Sequence, residues 1–252
     1  LFVKELEDAL HDGRIDAAVH SMKDVPTRLP EGLILTAMLP RVDPRDAWFC
    51  DTADSIAALP EGAVVGTGSL RRQAQILAQR PDLKVVNFRG NVHTRLRKLQ
   101  DGEVDATMLA MAGLQRMGMI EKARMALEPE ELLPAVGQGA IGVEVRAADS
   151  ATIDRMRAID HADTTHRVGA ERACLDVLDG SCRTPIGVLA ELSDDKQHMR
   201  LRTLVAATDG SQMWCAERNG PAADAEAMAR DAGAQIRADA GEAFFEALAD
   251  LF

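Results

Sequence analysis

Residues 66–98, GTGSLRRQAQILAQRPDLKVVNFRGNVHTRLRK, form the stretch that decides the fold and the chemistry expected of this chain. From Leu70 to Lys98 it carries eight basic residues against one acid, whereas the whole chain has a formal net charge of -11. A local reversal of charge on this scale indicates a site for anions. The basic residues are Arg71, Arg72, Arg80, Lys84, Arg89, Arg95, Arg97 and Lys98.

Two turns within this stretch are suited to binding anions. The apolar residues 63–65 lead through a glycine-rich turn into a helical pattern with Ser69 as the expected N-cap, and Val85 and Val86 lead through Asn91 into another. Free N–H groups and the positive end of the helix dipole attract anions at such places. Arginine adds a planar fork that can hold a carboxylate by two hydrogen bonds. The alternative is a solvated basic helix face, which is the usual meaning of a charge run.

The strand and helix pattern extends from this stretch in both directions. Residues 41–46 form a polar crossing, and from there to about Leu133 the order is strand, helix, strand, helix, strand, helix. This alternation predicts an α/β unit with a parallel sheet. Before the crossing, the pattern predicts a helix over residues 2–10 and strands over residues 16–20 and 33–39.

The last third of the chain predicts a separate small α+β domain. Asp163 is expected to cap a helix that runs to about Leu178. An Ala-rich helical pattern over residues 222–252 is expected to break near Gly233 and Gly241. Further strands are predicted over residues 140–145, which would return to the first unit, and over residues 186–192, 199–207 and 212–217.

Composition excludes several classes of function. The acidic balance and an aromatic content of 3% argue against a nucleic-acid surface, because single-strand binders stack bases on aromatic rings. No stretch approaches the roughly 20 apolar residues of a membrane span. The four cysteines form no C-x-x-C pair, so reduced thiols and no metal are expected. Cys50, Cys174 and Cys215 lie in helix- or strand-like segments and are expected to be small buried hydrophobes.

Three residues could carry chemistry. Asp24 follows an apolar strand beside Lys23, and it is either a turn residue or a carboxylate that stabilises a cation and moves protons. Cys182 lies in a glycine- and proline-bounded loop before Arg183, so it is either incidental or a point of covalent attachment. His20 could be a base or a metal ligand, but a core histidine bonded to backbone is the expected role.

Together these segments resemble the porphobilinogen deaminase family, also called hydroxymethylbilane synthases. The resemblance covers nearly the whole chain in the right order. It rests on HSMKDVP at residues 20–26, DPRD at 43–46, GTGSLRRQ at 66–73, RGNV at 89–92 with TRL at 94–96, LPAVGQG at 133–139, and the loop of Cys182.

The resemblance implies two periplasmic-binding-protein-like (type II) α/β domains and a small C-terminal α+β domain. Domain 1 would comprise residues 1–40 and 138–158, with an N-terminal part of the family domain missing here. Domain 2 would comprise residues 44–134, and domain 3 residues 162–252. It also implies the condensation of four porphobilinogen molecules into hydroxymethylbilane with loss of ammonia, primed by a covalent dipyrromethane cofactor.

The resemblance also implies roles for individual residues. Asp24 matches the catalytic aspartate, and Cys182 matches the cysteine that carries the cofactor by a thioether. The expected partner is porphobilinogen alone, without nucleic acid or membrane, for a cytoplasmic monomer in tetrapyrrole biosynthesis. Cofactor-binding residues would further include Lys23, Thr67, Ser69, Arg71 and Arg72, and substrate-binding residues Arg89, Arg95, Arg116 and Gln138.

One alternative from another class stays open on the sequence alone. A non-catalytic anion-binding module, such as a solute receptor, would explain the basic turns. It would not explain Asp24 and Cys182 together, nor the third domain.

Overall fold

The computed structural model describes residues 2–178 and 184–249. The strands are β1 (Ala17–Ser21), β2 (Leu33–Met38), β3 (Asp46–Phe49), β4 (Val64–Gly66), β5 (Lys84–Val86), β6 (Ala106–Ala110), β7 (Met125–Ala126), β8 (Ile141–Arg146), β9 (Ile186–Leu192), β10 (His198–Ala206) and β11 (Met213–Pro221). The α-helices are α1 (Phe2–His11), α2 (Leu70–Gln79), α3 (Val92–Gln100), α4 (Met111–Arg116), α5 (Ser150–Arg157), α6 (Ala162–Val177), α7 (Ala225–Ala240) and α8 (Glu242–Ala249). These elements form three units, each with its own sheet.

The first unit contains a three-stranded antiparallel sheet in the order β1-β8-β2. The late strand β8 therefore lies between the two early strands, which confirms the predicted return of residues 140–145. Leu10 of α1 packs with Ala18 and Leu33 in a small core on this sheet. The helix α5 was not predicted; its N-cap Asp149 accepts a hydrogen bond from the Thr152 N–H.

The second unit contains a five-stranded sheet in the order β5-β4-β6-β3-β7. The strand β4 is parallel to β5 and β6, but β3 is antiparallel to both β6 and β7. The predicted parallel arrangement is therefore confirmed for β4, β5 and β6, whereas the sheet as a whole is mixed because β3 runs in the opposite direction to the other four strands. The strand β3 has four residues and begins at Asp46 within the polar crossing, and β7 has two, so both are too short to be distinguished from the adjoining loops by periodicity.

The third unit contains an antiparallel sheet in the order β11-β10-β9, which confirms the three predicted strands. Helices α6 and α7 pack against this sheet around a core that includes Val188, Leu201 and Ala229. The N-cap of α6 is His161, not Asp163, because the His161 ring nitrogen accepts the hydrogen bond from the Thr164 N–H.

The predicted break of the Ala-rich helix at Gly233 is wrong. Gly233 lies inside α7, where a Cβ would meet the Cys174 carbonyl oxygen and the Val177 side chain, both at 3.1 Å. Glycine here permits close packing of α7 on α6. The helix ends at Gly241, whose φ of 78° favours glycine, as expected.

Two adjacent chain segments connect the first and second units: the outgoing crossing, residues 41–46, and the return crossing, residues 135–139. The Arg41 Nε donates to the Gln138 carbonyl at 3.0 Å, and the Val42 N–H donates to the Gly139 carbonyl at 3.1 Å. Glu171 of α6 accepts hydrogen bonds from Arg41 and from the Gly137 N–H. The third unit therefore holds both crossings at one point.

Candidate functional site

A cavity of about 1090 Å³ lies where the three units meet. Its walls come from the end of β1, the turns that precede α2 and α3, the start of α4, the return crossing and the helix α6. The wall includes nine residues that the sequence predicted for the site: Lys23, Asp24, Thr67, Ser69, Arg71, Arg72, Arg89, Arg95 and Gln138.

Asp24 and Lys23 are brought to the cavity by a short 3-10 helix, Met22–Asp24, that follows β1. Met22 is buried against the return crossing, where a Cβ on Gly137 would come within 2.9 Å of the Met22 Cβ. The side chain of Asp24 is exposed to the cavity, while Lys23 is half-buried. Burial, followed by the charge of Arg72, lowers the pKa of Lys23 below its ordinary value.

Arg71 and Arg72 share one buried carboxylate. The Arg71 Nη2 donates to Asp46 Oδ2 and the Arg72 Nη2 to Asp46 Oδ1, both at 2.7 Å. Their Nη1 atoms donate to the carbonyls of Leu133 and Met108. Although burial alone would raise it, the two guanidinium charges hold the pKa of Asp46 well below its usual range. Both arginines are buried, which excludes the solvated-face alternative for them.

Two donors of this cluster have no partner in the part of the chain that the structure describes. The Nε atoms of Arg71 and Arg72 are buried without a hydrogen bond. Since the cluster has two cations and one anion, it also carries a surplus positive charge. Buried donors and unbalanced charge favour an anionic ligand with hydrogen-bond acceptors.

Asp46 is the functional residue that the sequence analysis missed. It occurs in the quoted motif DPRD, but no role was predicted for it. It is fully buried and lies 25 residues before Arg71. The available signal was an aspartate at the start of an otherwise apolar run, since a buried carboxylate requires a cationic partner.

The turn before α2 presents polar groups of a second kind. Ser69 occupies the N-cap position, as predicted, but its side chain makes no capping hydrogen bond. The backbone N–H of Ser69 donates to the Thr67 hydroxyl at 3.1 Å. The Ser69 hydroxyl and the first N–H groups of α2 therefore lie at the cavity without an intrahelical cap, and they can donate to an anion.

Arg89 just precedes α3 and Arg95 lies in its first turn, and the hydrogen bonds that the described residues provide for them come from neighbours in the chain. The Arg89 Nε donates to Asn87 Oδ1 at 3.3 Å, and the Arg95 Nε donates to the Gly90 carbonyl at 2.8 Å. Arg89 is exposed and Arg95 is half-buried. Burial, then the charge of Arg72, lowers the pKa of Arg95, so positive charges are crowded across the cavity.

Two predicted substrate-binding residues are placed differently from the rest. Gln138 lines the cavity, but its amide Nε2 donates to the Pro44 carbonyl at 2.6 Å and to Asp46 Oδ1 at 2.9 Å. It therefore connects the two crossings to the arginine cluster. Arg116 lies exposed at the end of α4 and is not part of the described cavity wall, so its role stays a prediction.

The predicted attachment residue Cys182 lies outside the described residues. The first described residue after it, Thr184, lines the cavity. Cys50 and Cys174 are buried as expected, whereas Cys215 is exposed on β11, contrary to the prediction. That strand alternates exposed positions with half-buried or buried ones, and Cys215 falls on an exposed position.

His20 is buried, but its partner is a side chain and not backbone. Its Nε2 lies 2.8 Å from Glu144 Oε2 on the neighbouring strand β8. Among residues 2–178 and 184–249, no group of three His, Cys, Asp or Glu side chains could hold a metal ion. Within the same residues, no helix is both long and apolar enough to cross a bilayer.

The fold and the cavity define an α/β protein with a cation-rich cavity between its units, of the kind that suits a polyanionic small molecule. A family model described as porphobilinogen deaminase, dipyromethane cofactor binding domain, matches residues 1–154, and one described as porphobilinogen deaminase, C-terminal domain, matches residues 165–238. The chain belongs to the porphobilinogen deaminase family.

Individual relatives agree with this assignment over almost the whole chain. The chain is 56% identical to porphobilinogen deaminase of Paracoccus denitrificans, covering 98% of this chain and 78% of the relative. It is 53% identical to the chloroplastic porphobilinogen deaminase of Oryza sativa, covering 98% and 70%. A nutrient binding protein from Burkholderia cenocepacia bound to methionine overlaps with a TM-score of 0.40 at 16% identity, covering 60% of this chain and 73% of that one.

The described residues fit the cofactor named by the family model. A dipyrromethane carries carboxylate side chains on two pyrrole rings. The buried Nε donors of Arg71 and Arg72, the Ser69 hydroxyl and the start of α2 supply hydrogen-bond donors and positive charge for such groups.

Proposed function

We propose that this chain is a transferase that condenses four porphobilinogen molecules head to tail into hydroxymethylbilane, releasing one ammonia at each addition, in tetrapyrrole (haem) biosynthesis. The observation that carries the proposal is the cavity that combines Asp24 with a locked arginine pair. The names of the close relatives support catalysis over a non-catalytic anion-binding module.

The charges of the cavity suit this substrate. Porphobilinogen carries an acetate and a propionate, so a growing polypyrrole adds two carboxylates with every ring. We propose that Arg89, Arg95 and Arg116 bind these carboxylates, and that Gln138 contributes to substrate binding from the crossing. The local contacts of Arg89 and Arg95 would allow their forks to follow successive rings.

A second group of residues is proposed to hold the primer. When bound through a thioether to Cys182, the dipyrromethane supplies the end onto which the first substrate is added. The residues proposed to hold it by hydrogen bonds and charge are Lys23, Asp24, Thr67, Ser69, Arg71 and Arg72.

Asp24 is proposed to be the catalytic residue. Departure of ammonia breaks the carbon–nitrogen bond of porphobilinogen and leaves a cation on the remaining methylene pyrrole. After the new carbon–carbon bond forms, the substituted ring carbon must lose a proton. The Asp24 carboxylate can stabilise both positive charges and assist the proton transfers, which are the usual tasks of a cavity-facing carboxylate.

The crossings are proposed to adjust as the product lengthens. Gln138 contacts the outgoing crossing at Pro44 and the cluster at Asp46. A small rotation there would move the second unit relative to Asp24 and so admit a longer chain. Since one chain supplies every described wall of the cavity, we propose that the protein acts as a monomer. From the family and the acidic, aromatic-poor composition we further propose that it acts in the cytoplasm, without nucleic acid or membrane.

The test is the intact mass of the denatured protein together with Ehrlich's reagent and porphobilinogen consumption. A mass excess of two condensed pyrrole units, located on the Cys182 peptide, and ammonia release in step with substrate loss are expected. Asp24→Asn should retain the added mass but lose turnover, and Cys182→Ala should lose the added mass. Near wild-type turnover in Asp24→Asn, or retained pyrrole in Cys182→Ala, would contradict the assigned roles.

A further inference from the structure

One guanidinium holds the backbone that follows Asp24. Arg172 lines the cavity, and its Nη2 donates to the Pro26 carbonyl at 2.8 Å and to the Thr27 carbonyl at 2.9 Å. Its Nη1 donates to the Val25 carbonyl at 3.3 Å. Three successive carbonyls, beginning one residue after Asp24, are therefore bound by a single side chain.

This contact joins the segment of Asp24 to the third unit. Arg172 lies on α6, which ends at Val177, and the chain then continues through residues 179–183, which include Cys182. Val25 also packs with Val168 of the same helix. The helix that leads to the predicted attachment residue thus also holds the predicted catalytic segment.

The chemistry of the segment explains why an arginine is needed. Pro26 has no N–H, so the segment cannot continue as a regular backbone ladder. A guanidinium has five donors in a rigid planar fork and can reach carbonyls that point in different directions. A lysine has one compact ammonium group at the end of a flexible stem and cannot fix all three with the same geometry.

We propose that Arg172 is a positioning residue, which sets the place of the Asp24 carboxylate relative to the cofactor-bearing third unit. The proposal rests on the function proposed above. Arg172 acts through Asp24, because three of its five N–H donors are directed to the carbonyl oxygens of the segment that follows Asp24. Burial lowers the pKa of Arg172, although Glu144 and Asp176 oppose this; the side chain is therefore held in place at an electrostatic cost.

The test compares Arg172→Met, Arg172→Lys and a matched control, Arg28→Met, in the cofactor-loaded protein. Arg28 also links this segment to α6, through Asp176, but its side chain is 77% exposed and does not line the cavity. Intact mass gives the loaded fraction, steady-state kinetics with porphobilinogen give kcat per loaded chain and KM, and thermal unfolding gives Tm.

We expect Arg172→Met to lower kcat per loaded chain by about 100-fold, the cost of roughly 1 Å of misplacement of a catalytic group. KM should change by less than about threefold, because uniform substrate binding is retained. Arg172→Lys should recover about a tenth of the wild-type kcat, since one of several hydrogen bonds is restored. Arg28→Met should match the wild type in kcat and KM.

A raised KM with unchanged kcat would overturn the proposal, because Arg172 would then bind substrate directly. An unchanged kcat per loaded chain would also overturn it, whatever happens to Tm. If Arg172→Met does not fold or load, the same division between kcat and KM, measured on Arg172→Lys, decides. Absence of porphobilinogen turnover by the wild type would contradict the proposed function instead.

Discussion

Helices α2 and α3 begin in the same way but are embedded in the protein differently. Each follows a short parallel strand and each carries arginines at the cavity. Five residues of α2 are buried, including Arg71 and Arg72, whereas no residue of α3 is buried. Similar sequence patterns have therefore produced one fixed and one adjustable cationic surface, and the difference comes from Asp46.

The fixed surface suits a group that remains bound, and the adjustable surface suits one that changes. Arg71 and Arg72 are locked by a shared carboxylate and by carbonyls, so their guanidinium groups are preorganised in the cavity wall. Among residues 2–178 and 184–249, Arg89 and Arg95 each make one side-chain hydrogen bond, to a residue nearby in the chain, so each can reorient at the cost of that bond. This matches the proposed roles in holding a permanent primer and successive substrates.

The largest expected effect comes from removing the carboxylate that Arg71 and Arg72 share, because this carboxylate fixes α2, whereas α3 has no counterpart of it within the described residues. Asp46→Asn leaves two buried guanidiniums without a counter-ion, and the free energy of unfolding should fall by about 3–5 kcal/mol. The control is Asp82→Asn, which breaks the solvent-screened pair with Arg80 at the end of α2 and should cost far less. Urea unfolding of both variants checks the difference, and equal losses would show that burial of the pair is unimportant.

The same cluster of Asp46, Arg71 and Arg72 should determine how the free energy of unfolding changes in acid. Because the folded-state pKa of Asp46 is depressed, its contribution is present above the ordinary value of 3.8 and is lost as pH falls through the lower folded value. The stability difference between wild type and Asp46→Asn should therefore persist at pH 4.5 and shrink only in stronger acid. Unfolding curves across this range would contradict the assignment if the difference disappeared near neutral pH.

The third unit should stabilise α2 but not α3. Gly210, in the turn between β10 and β11, has a φ of 73°, and a Cβ there would meet the backbone of Leu77 and Ala78 in α2. Gly102, just after α3, has a φ of 74° with nothing within 4 Å. Gly210→Ala should cost about 2–4 kcal/mol, from backbone strain plus overpacking, and Gly102→Ala only about 1 kcal/mol from strain. Equal costs, measured by thermal unfolding, would mean that the turn does not dock tightly.

Substitution of a cavity-lining arginine in α3 should lower kcat/KM for the substrate and leave the free energy of unfolding nearly unchanged. Arg95→Met should lower kcat/KM for porphobilinogen by about tenfold or more, the value of a charged hydrogen bond, with less than about 0.5 kcal/mol lost in unfolding. Arg97→Met is the control, because Arg97 is exposed on the same helix and does not line the cavity. A large loss of stability in Arg95→Met would contradict the contrast with α2.

Salt should produce the smallest effect, and it should act on the exposed arginine beside α3 more than on the buried arginines of α2. Exposed charges are screened at high ionic strength, whereas buried pairs are screened much less. Raising the salt concentration to about 1 M, where the Debye length is about 3 Å, should raise KM severalfold while leaving the pyrrole-loaded fraction unchanged. Intact mass and kinetics on one preparation separate the two responses.

Local pattern was sufficient for much of the fold. The two strand-to-helix turns, the return of β8 and the three strands of the third unit follow from periodicity and breakers within a few residues. Pattern could not identify β3, because its first residue is a charged aspartate. Nor could it reveal the role of Gly233, since a glycine that permits helix contact resembles one that ends a helix.

The site was predicted where its signals are local and missed where they are pairwise. Charge density indicated the arginines, and a strand end indicated Asp24. The partner of Arg71 and Arg72 is distant in sequence, and so are the carbonyls bound by Arg172, which lie about 146 residues away. The position of Arg116 outside the described wall likewise depends on how α4 turns, which composition does not encode.

The central position of β8 has a consequence for folding during translation. β1 and β2 precede the second unit in the chain, but within the described residues both pair with β8, which follows that unit. The second unit can close its own sheet during translation, while the early strands must wait with open edges until about 100 further residues have been made. An edge that stays open for that long can mispair with other strands, so the first unit is exposed to misassembly for longer than the second.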